Sequence, residues 1–341
     1  MHGDMLHTSS QATTTGVAHQ QAARLRGSAT GVTHDLACLP MSIVNLYFYG
    51  VPNAGDRGWV MIDAGLAIST GRILRAAVQR FGPDARPAAI ILTHGHFDHV
   101  GALPHLAELW NVPVYAHELE MPYLTGRSSY PPPDPAVGGG AMSFLSRLYP
   151  RGPIDLGNRV RVFPGDGSVP GMPDWRWIHT PGHTAGHVAL FRNSDRTLIA
   201  GDAFVTQRQE SALCVLTQRP EVRRPPAYYT TDWAQARRSV EILAQLRPEI
   251  AATGHGVPMA GEALRRQLDA LVRDWNEVAV PPQGRYVKEP AVTDARGVVS
   301  VPPAVFDPQL LTVAGVGLMA AVGALALRSW SMAGVSKTVI S

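Results

Sequence analysis

The sequence predicts an α/β layered fold, and three observations carry that reading. Short apolar strand-like runs alternate with amphipathic helical segments from Trp59 to Ala116. Candidate metal-binding side chains follow strand-like runs: His94 to His99 follow one of these, and His183, Asp202 and His255 each follow a later one and stand beside a glycine. The chain, at 341 residues, can bury one large core with appendages.

The elements are legible in order. Residues 42–49, rich in β-branched and aromatic side chains, form a strand, polar turn residues follow from Pro52 to Gly58, and Trp59 to Ile62 completes a hairpin. Ile73, Leu74, Ala77, Val78 and Phe81 recur at helical spacing before Gly82-Pro83 stops the helix. Ala89 to Leu92 is a buried strand, followed by a helix carrying Leu103, Leu106 and Leu109 and a strand over 113–116. Residues 125–157 break the alternation and read as a lid, with Tyr130 and Tyr149 as wall residues. Strand signals return at 160–163, 175–179, 187–191, 197–200 and 250–252, and a second irregular insertion, 205–230, carries Tyr228 and Tyr229. Helices capped by Asp232 and spanning 262–275 supply packing faces.

Outside the catalytic domain, placed at 36–276, the composition changes. Residues 1–35, rich in Ser, Thr, Gln, His and Gly and without the apolar core of a secretory signal, are expected to be a disordered tail. Six prolines between Pro281 and Pro308 predict a semi-stiff, poorly folded linker over 277–309. Leu310 to Leu327 lacks charge and proline and comes near the roughly 17–25 residues of a bilayer span. It is a candidate membrane anchor, with a helix docked on protein as the alternative. The two cysteines, Cys38 and Cys214, form no framework and fit a reducing compartment, hence a cytoplasmic chain with membrane association through 310–327. A net charge of +3 without a basic run argues against a nucleic-acid partner.

The chemistry concentrates in Thr93-His-Gly-His-Phe-Asp-His99. In an extended segment His94 and His96 point to one side and can share a metal, while Asp98 and His99, past the turn, face a second. Further candidates follow later strands: His183 within His179-Thr-Pro-Gly-His-Thr-Ala-Gly-His187, Asp202 after Gly201, and His255 in Thr253-Gly-His255-Gly256. Neutral imidazoles and carboxylates suit zinc, and also manganese or iron.

In that order, His94-x-His96-x-Asp98-His99, His183, Asp202 and His255, the chain resembles the metallo-β-lactamase superfamily of binuclear metallohydrolases over roughly residues 36–275. The resemblance implies an αββα sandwich, two mixed β-sheets back to back between helical layers, with two divalent metal ions at one sheet edge. By position, His94, His96 and His183 would hold one ion, Asp98, His99 and His255 the other, and Asp202 would bridge them. Asp63 matches a position that orients the metal loop, and His187 one that is structural. His96 and Asp202 point to the glyoxalase II-like and lactonase-like branches, although Ala102 replaces a second glycine and Val205 occupies the tyrosine position of the lactonases. The implied activity is hydrolysis of an ester, thioester or lactone of a partly apolar small molecule, with Asp98 as catalytic residue. The alternatives are a mononuclear iron persulfide dioxygenase using His94, His183 and Asp202, and a membrane-tethered protein whose metal site is only a clip.

Overall fold

A computed structural model describes residues 28–305. Seven strands form one sheet in chain order: β1 (Thr30–Gly31), β2 (Leu36–Pro40), β3 (Asn45–Tyr49), β4 (Val60–Ile62), β5 (Ala89–Ile91), β6 (Val114–Ala116) and β7 (Val160–Val162). Pairing is antiparallel from β1 to β4 and parallel from β4 to β7, so the sheet is mixed. A second mixed sheet holds β8 (Ser168–Val169), β9 (Met172–His179), β10 (Val188–Arg192), β11 (Thr197–Gly201), β12 (Ile250–Thr253) and β13 (Met259–Ala260), also in chain order. Its single parallel pair is β11 with β12.

Alternation along the strands divides the core into three layers. Leu36, Cys38, Tyr47, Val60, Ile62 and Ile91 face Trp175, Val188, Leu190, Ile199 and Ala252 of the other sheet. Their neighbours Leu39, Leu46, Phe48, Met61 and Ile90 turn outward onto α1 (Thr70–Phe81) and α3 (Leu103–Trp110), where Trp59 stacks on Phe81 at 4.4 Å. Between these two helices the short α2 (Phe97–Val100) opens directly from the metal-binding motif. On the far side Ala189, Phe191, Leu198 and Ala251 pack against α4 (Trp233–Gln245) and α5 (Gly261–Arg273) through Trp233, Val240, Leu243, Leu264 and Leu268. The arrangement is the αββα sandwich.

At one edge the sheets are tied together by polar contacts. Asn45 Nδ2 and Tyr47 Oη donate to the Thr253 carbonyl at 3.0 and 2.7 Å, and the Val188 amide donates to the Thr93 carbonyl at 2.9 Å. Here β4, β5, β11 and β12 all end. The C-terminal ends of parallel strands leave their following loops free to converge.

Two boundaries need correction. Order starts within the predicted tail: β1 pairs with β2, and Asp35 meets the Arg192 guanidinium at 2.6 Å. Nor is the described part of 277–309 a loose linker. Its Tyr286 is buried and donates to the Pro132 carbonyl at 2.7 Å, and β14 (Val292–Asp294) and β15 (Gly297–Ser300) form a hairpin. Val298 N–H donates to Ser128 Oγ at 3.2 Å, and the Ala279 carbonyl accepts from Arg224 Nη1 at 2.7 Å, so this segment meets both insertions. Prolines remove N–H donors without preventing docking through those that remain. The apolar stretch 310–327 and residues 1–27 lie outside the described residues. Among the described residues no helix is long and apolar enough to cross a membrane.

Candidate metal centre

Three groups of ligand-grade atoms converge at this edge: His94, His96 and His183; His94, His99 and Asp202; and Asp98, His99 and His255. Within each group the atoms lie within 4.8 Å of one another, and every residue is buried. All seven side chains singled out in the sequence therefore meet at one place. His94 and His96 leave β5 through an extended segment, Asp98 and His99 sit on α2, His183 follows β9, Asp202 follows β11 and His255 follows β12.

The outer nitrogens decide which atom each imidazole presents. His94 Nδ1 lies 3.1 Å from Thr93 Oγ1, which itself donates to Asp63 Oδ2 at 2.8 Å, so the threonine accepts from the histidine. His99 Nδ1 donates to Asp63 Oδ2 at 2.9 Å, His183 Nδ1 to Thr230 Oγ1 at 3.3 Å, and His255 Nδ1 to the Ile43 carbonyl at 2.5 Å. Each of these four rings keeps a proton on the outer Nδ1 and turns Nε2 inward, the atom left to bind a metal. His96 instead presents Nδ1, which is 3.0 Å from both His94 Nε2 and His183 Nε2.

Such crowding of lone pairs fits a cation. His99 Nε2 and Asp202 Oδ1 are buried without a hydrogen-bond partner and stand 3.6 Å apart. Asp202 Oδ2 meets His255 Nε2 at 2.9 Å and lies 3.5 Å from His183 Nε2, so this carboxylate touches both sides of the cluster. Unpaired buried polar atoms of this kind are rare and costly unless something fills the space between them.

Burial, reinforced by the surrounding imidazoles, holds His94 and His96 well below the usual imidazole range, and it brings His183 and His187 down to about 3. These rings are neutral at pH 7, the form that binds metal. Burial pulls His99 and His255 the same way, but the Asp202 carboxylate, with Asp98 and, at His99, Asp63, outweighs it and raises both. Asp202 is held well below the carboxylate range by His255 and His99 despite its burial, whereas burial raises Asp98.

A family model of the metallo-β-lactamase superfamily matches residues 39–255. The chain belongs to this superfamily. Among its relatives is a Bacillus subtilis protein named probable metallo-hydrolase YflN, 48% identical over 240 residues, covering 70% of this chain and 90% of that one. A Gallus gallus protein named acyl-coenzyme A thioesterase MBLAC2 is 31% identical over 169 residues, 43% of this chain and 54% of its own. Among solved structures, the archaeal superfamily protein ST1585 from Sulfolobus tokodaii aligns over 72% of this chain and 87% of its own, with a TM-score of 0.49 at 19% identity. The chain is thus a metal-dependent hydrolase of the metallo-β-lactamase fold.

Around the seven residues the superfamily scaffold is clear. Asp63, in the left-handed region at φ 58°, also accepts from the Thr93 amide at 2.8 Å and so fixes the start of the metal-binding loop. His187 Nε2 accepts from the Asp202 amide at 2.9 Å while its Nδ1 donates to Thr180 Oγ1 at 2.8 Å, a structural role. The insertion tyrosines wall the site: Tyr229 stacks on His96 at 4.3 Å, Tyr130 lies 4.7 Å from the same ring, and Tyr149 stands 5.3 Å from Phe97. Tyr228 packs behind them, 5.3 Å from Tyr229.

One residue of the site escaped the sequence reading. Glu120 is fully buried beside the motif, and its carboxylate accepts from Gly95, Gly186, Thr184 and Tyr130. Burial raises its carboxyl group while these donors pull it back. Nothing in Glu118-Leu-Glu120 separates it from a surface helix turn.

Proposed function

We propose that the chain holds two divalent metal ions and hydrolyses the carbonyl of an ester, thioester or lactone carrying a partly apolar group. The observation that carries this reading is the placement of Asp202 between two ligand groups, with Oδ1 unpaired opposite His99 and Oδ2 against His255 and His183. His94, His96 and His183 are assigned to one ion and Asp98, His99 and His255 to the other, with Asp202 shared. Zinc suits the donor set best, with manganese or iron also accommodated.

Bound there, the pair of ions supplies Lewis acidity and a water ionised near neutral pH. The protein supplies the rest. The neutral imidazoles of His94, His96 and His183 offer lone pairs without prior loss of a proton, His99 and His255 give up a proton on binding, and Asp63 and Thr93 orient the His99 and His94 rings. Asp98, the most exposed of the three acidic groups at the centre, orients the attacking water. Tyr130 and Tyr229 exclude bulk solvent from the His96 side.

A cleft of about 360 Å³ meets the metal-binding loop at Gly95 and Phe97 and is walled by Leu66, Ile68, Val100 and Ile154. None of the seven proposed ligands lines it, so it suits a part of the substrate remote from the reacting carbonyl. The thioesterase name of the avian relative supports an acyl thioester among the candidates. The test is turnover by the full chain of aryl esters, acyl thioesters and lactones, with a bis-aryl phosphodiester as comparator. Carbonyl substrates should turn over, lose activity on chelation and regain it with zinc or manganese. Turnover confined to the phosphodiester, or indifferent to chelation, would overturn the reading.

A further inference from the structure

Glu120 joins parts of the site that arrive from distant stretches of chain. Its Oε2 accepts from the Gly95 amide at 3.0 Å, and Gly95 lies between His94 and His96. Its Oε1 accepts from Thr184 Oγ1 at 2.7 Å and from the Gly186 amide at 3.0 Å, both in the loop that starts with His183. The remaining donor is the Tyr130 hydroxyl, on Oε2, whose ring lies against His96. One carboxylate therefore holds both loops that present His94, His96 and His183.

The glycines show how close the approach is. A Cβ on Gly186 would stand 2.7 Å from Glu120 Cγ, and one on Gly95 would stand 2.4 Å from the Tyr130 hydroxyl. Neither loop could carry a side chain at that point and keep its hydrogen bond to the carboxylate. The other group, Asp98, His99 and His255, is held by the Ile43 carbonyl and by Asp63, which also reaches His94 through Thr93, and none of its members hydrogen-bonds Glu120.

From this division we infer that Glu120 is a positioning residue for the three-histidine site alone, keeping His94, His96 and His183 at the spacing that binds a metal ion. The inference rests on the metal-binding reading above. Four donors and no acceptor surround the carboxylate, so an amide in its place cannot satisfy them. Glu120→Gln points its NH₂ either at Gly95 or at Gly186. The threonine and tyrosine hydroxyls can rotate to accept from it, but the glycine N–H is left buried without an acceptor.

Cobalt(II) titration of the metal-free full chain, followed by visible absorption, tests this. The unaltered chain should fill two sites. Glu120→Gln should weaken one site by about 10–100-fold and change its spectrum, leaving the other site as it was. Thr184→Val, which removes one donor and keeps the carboxylate, should weaken the same site by about tenfold or less, and it decides the matter should Glu120→Gln fail to fold. Folded variants with two unaltered sites, or with both sites weakened alike, would overturn the inference. An unaltered chain that takes up no cobalt would instead overturn the metal-binding reading on which it depends.

Discussion

Asp98→Ala is expected to abolish hydrolysis and leave the chain folded. The Asp98 carboxylate is buried at the start of α2 and faces His255 Nε2 at 3.6 Å. Among the described residues no side chain donates a hydrogen bond to it, so its removal orphans no structural partner. Burial raises this carboxyl group, so the folded protein without metal gains nothing from its charge. Removal of a preorganised charged group from a reaction centre costs about 10²–10³-fold or more in kcat. The unfolding midpoint of the metal-free variant should equal or exceed that of the unaltered chain. Full activity in a folded Asp98→Ala protein would remove Asp98 from the mechanism.

Chelation is expected to produce the largest change in stability. Metal-free, the centre packs Asp63, Asp98 and Asp202 with five inward-facing imidazoles, and His99 Nε2 and Asp202 Oδ1 are left unpaired in the interior. Any ligand bound only by the folded chain stabilises it by mass action, by about 4 kcal/mol at 1,000 times its Kd. For a domain of this size that corresponds to roughly 8–16 °C in Tm. Calorimetry of the full chain before and after dipicolinate treatment should show a fall of this order, reversed by zinc. An unchanged Tm would mean that no ion bridges the two unpaired atoms.

Much of this centre was legible because its residues obey local rules. His94, His96, Asp98 and His99 fall within six positions after an apolar strand, and His183, Asp202 and His255 each follow another, with a glycine nearby to turn the chain. A layered α/β fold was legible from the alternation of strand-like and helical runs, and the αββα sandwich from the resemblance that the order of the ligands carries. Glu120 was not. Its role depends on Gly95 and Gly186, far apart in the sequence, approaching one carboxylate. The stacking of Tyr229 on His96 likewise depends on the path of an insertion with no periodicity. Proline content misled over 277–309, because docking there is carried by Tyr286, Gln283 and the hairpin rather than by any repeating pattern. The short β1 and β8 carry too few residues for alternation to register.

The central claim is that Asp202 lies between two metal ions, and the metal content of the purified and reconstituted full chain tests it most directly. Elemental analysis by plasma mass spectrometry should find about two zinc or manganese ions per chain, falling to about one when Asp202 is replaced by Ala. A single iron per chain, accompanied by oxygen uptake on a persulfide, would contradict the claim, and so would a chain that binds no metal.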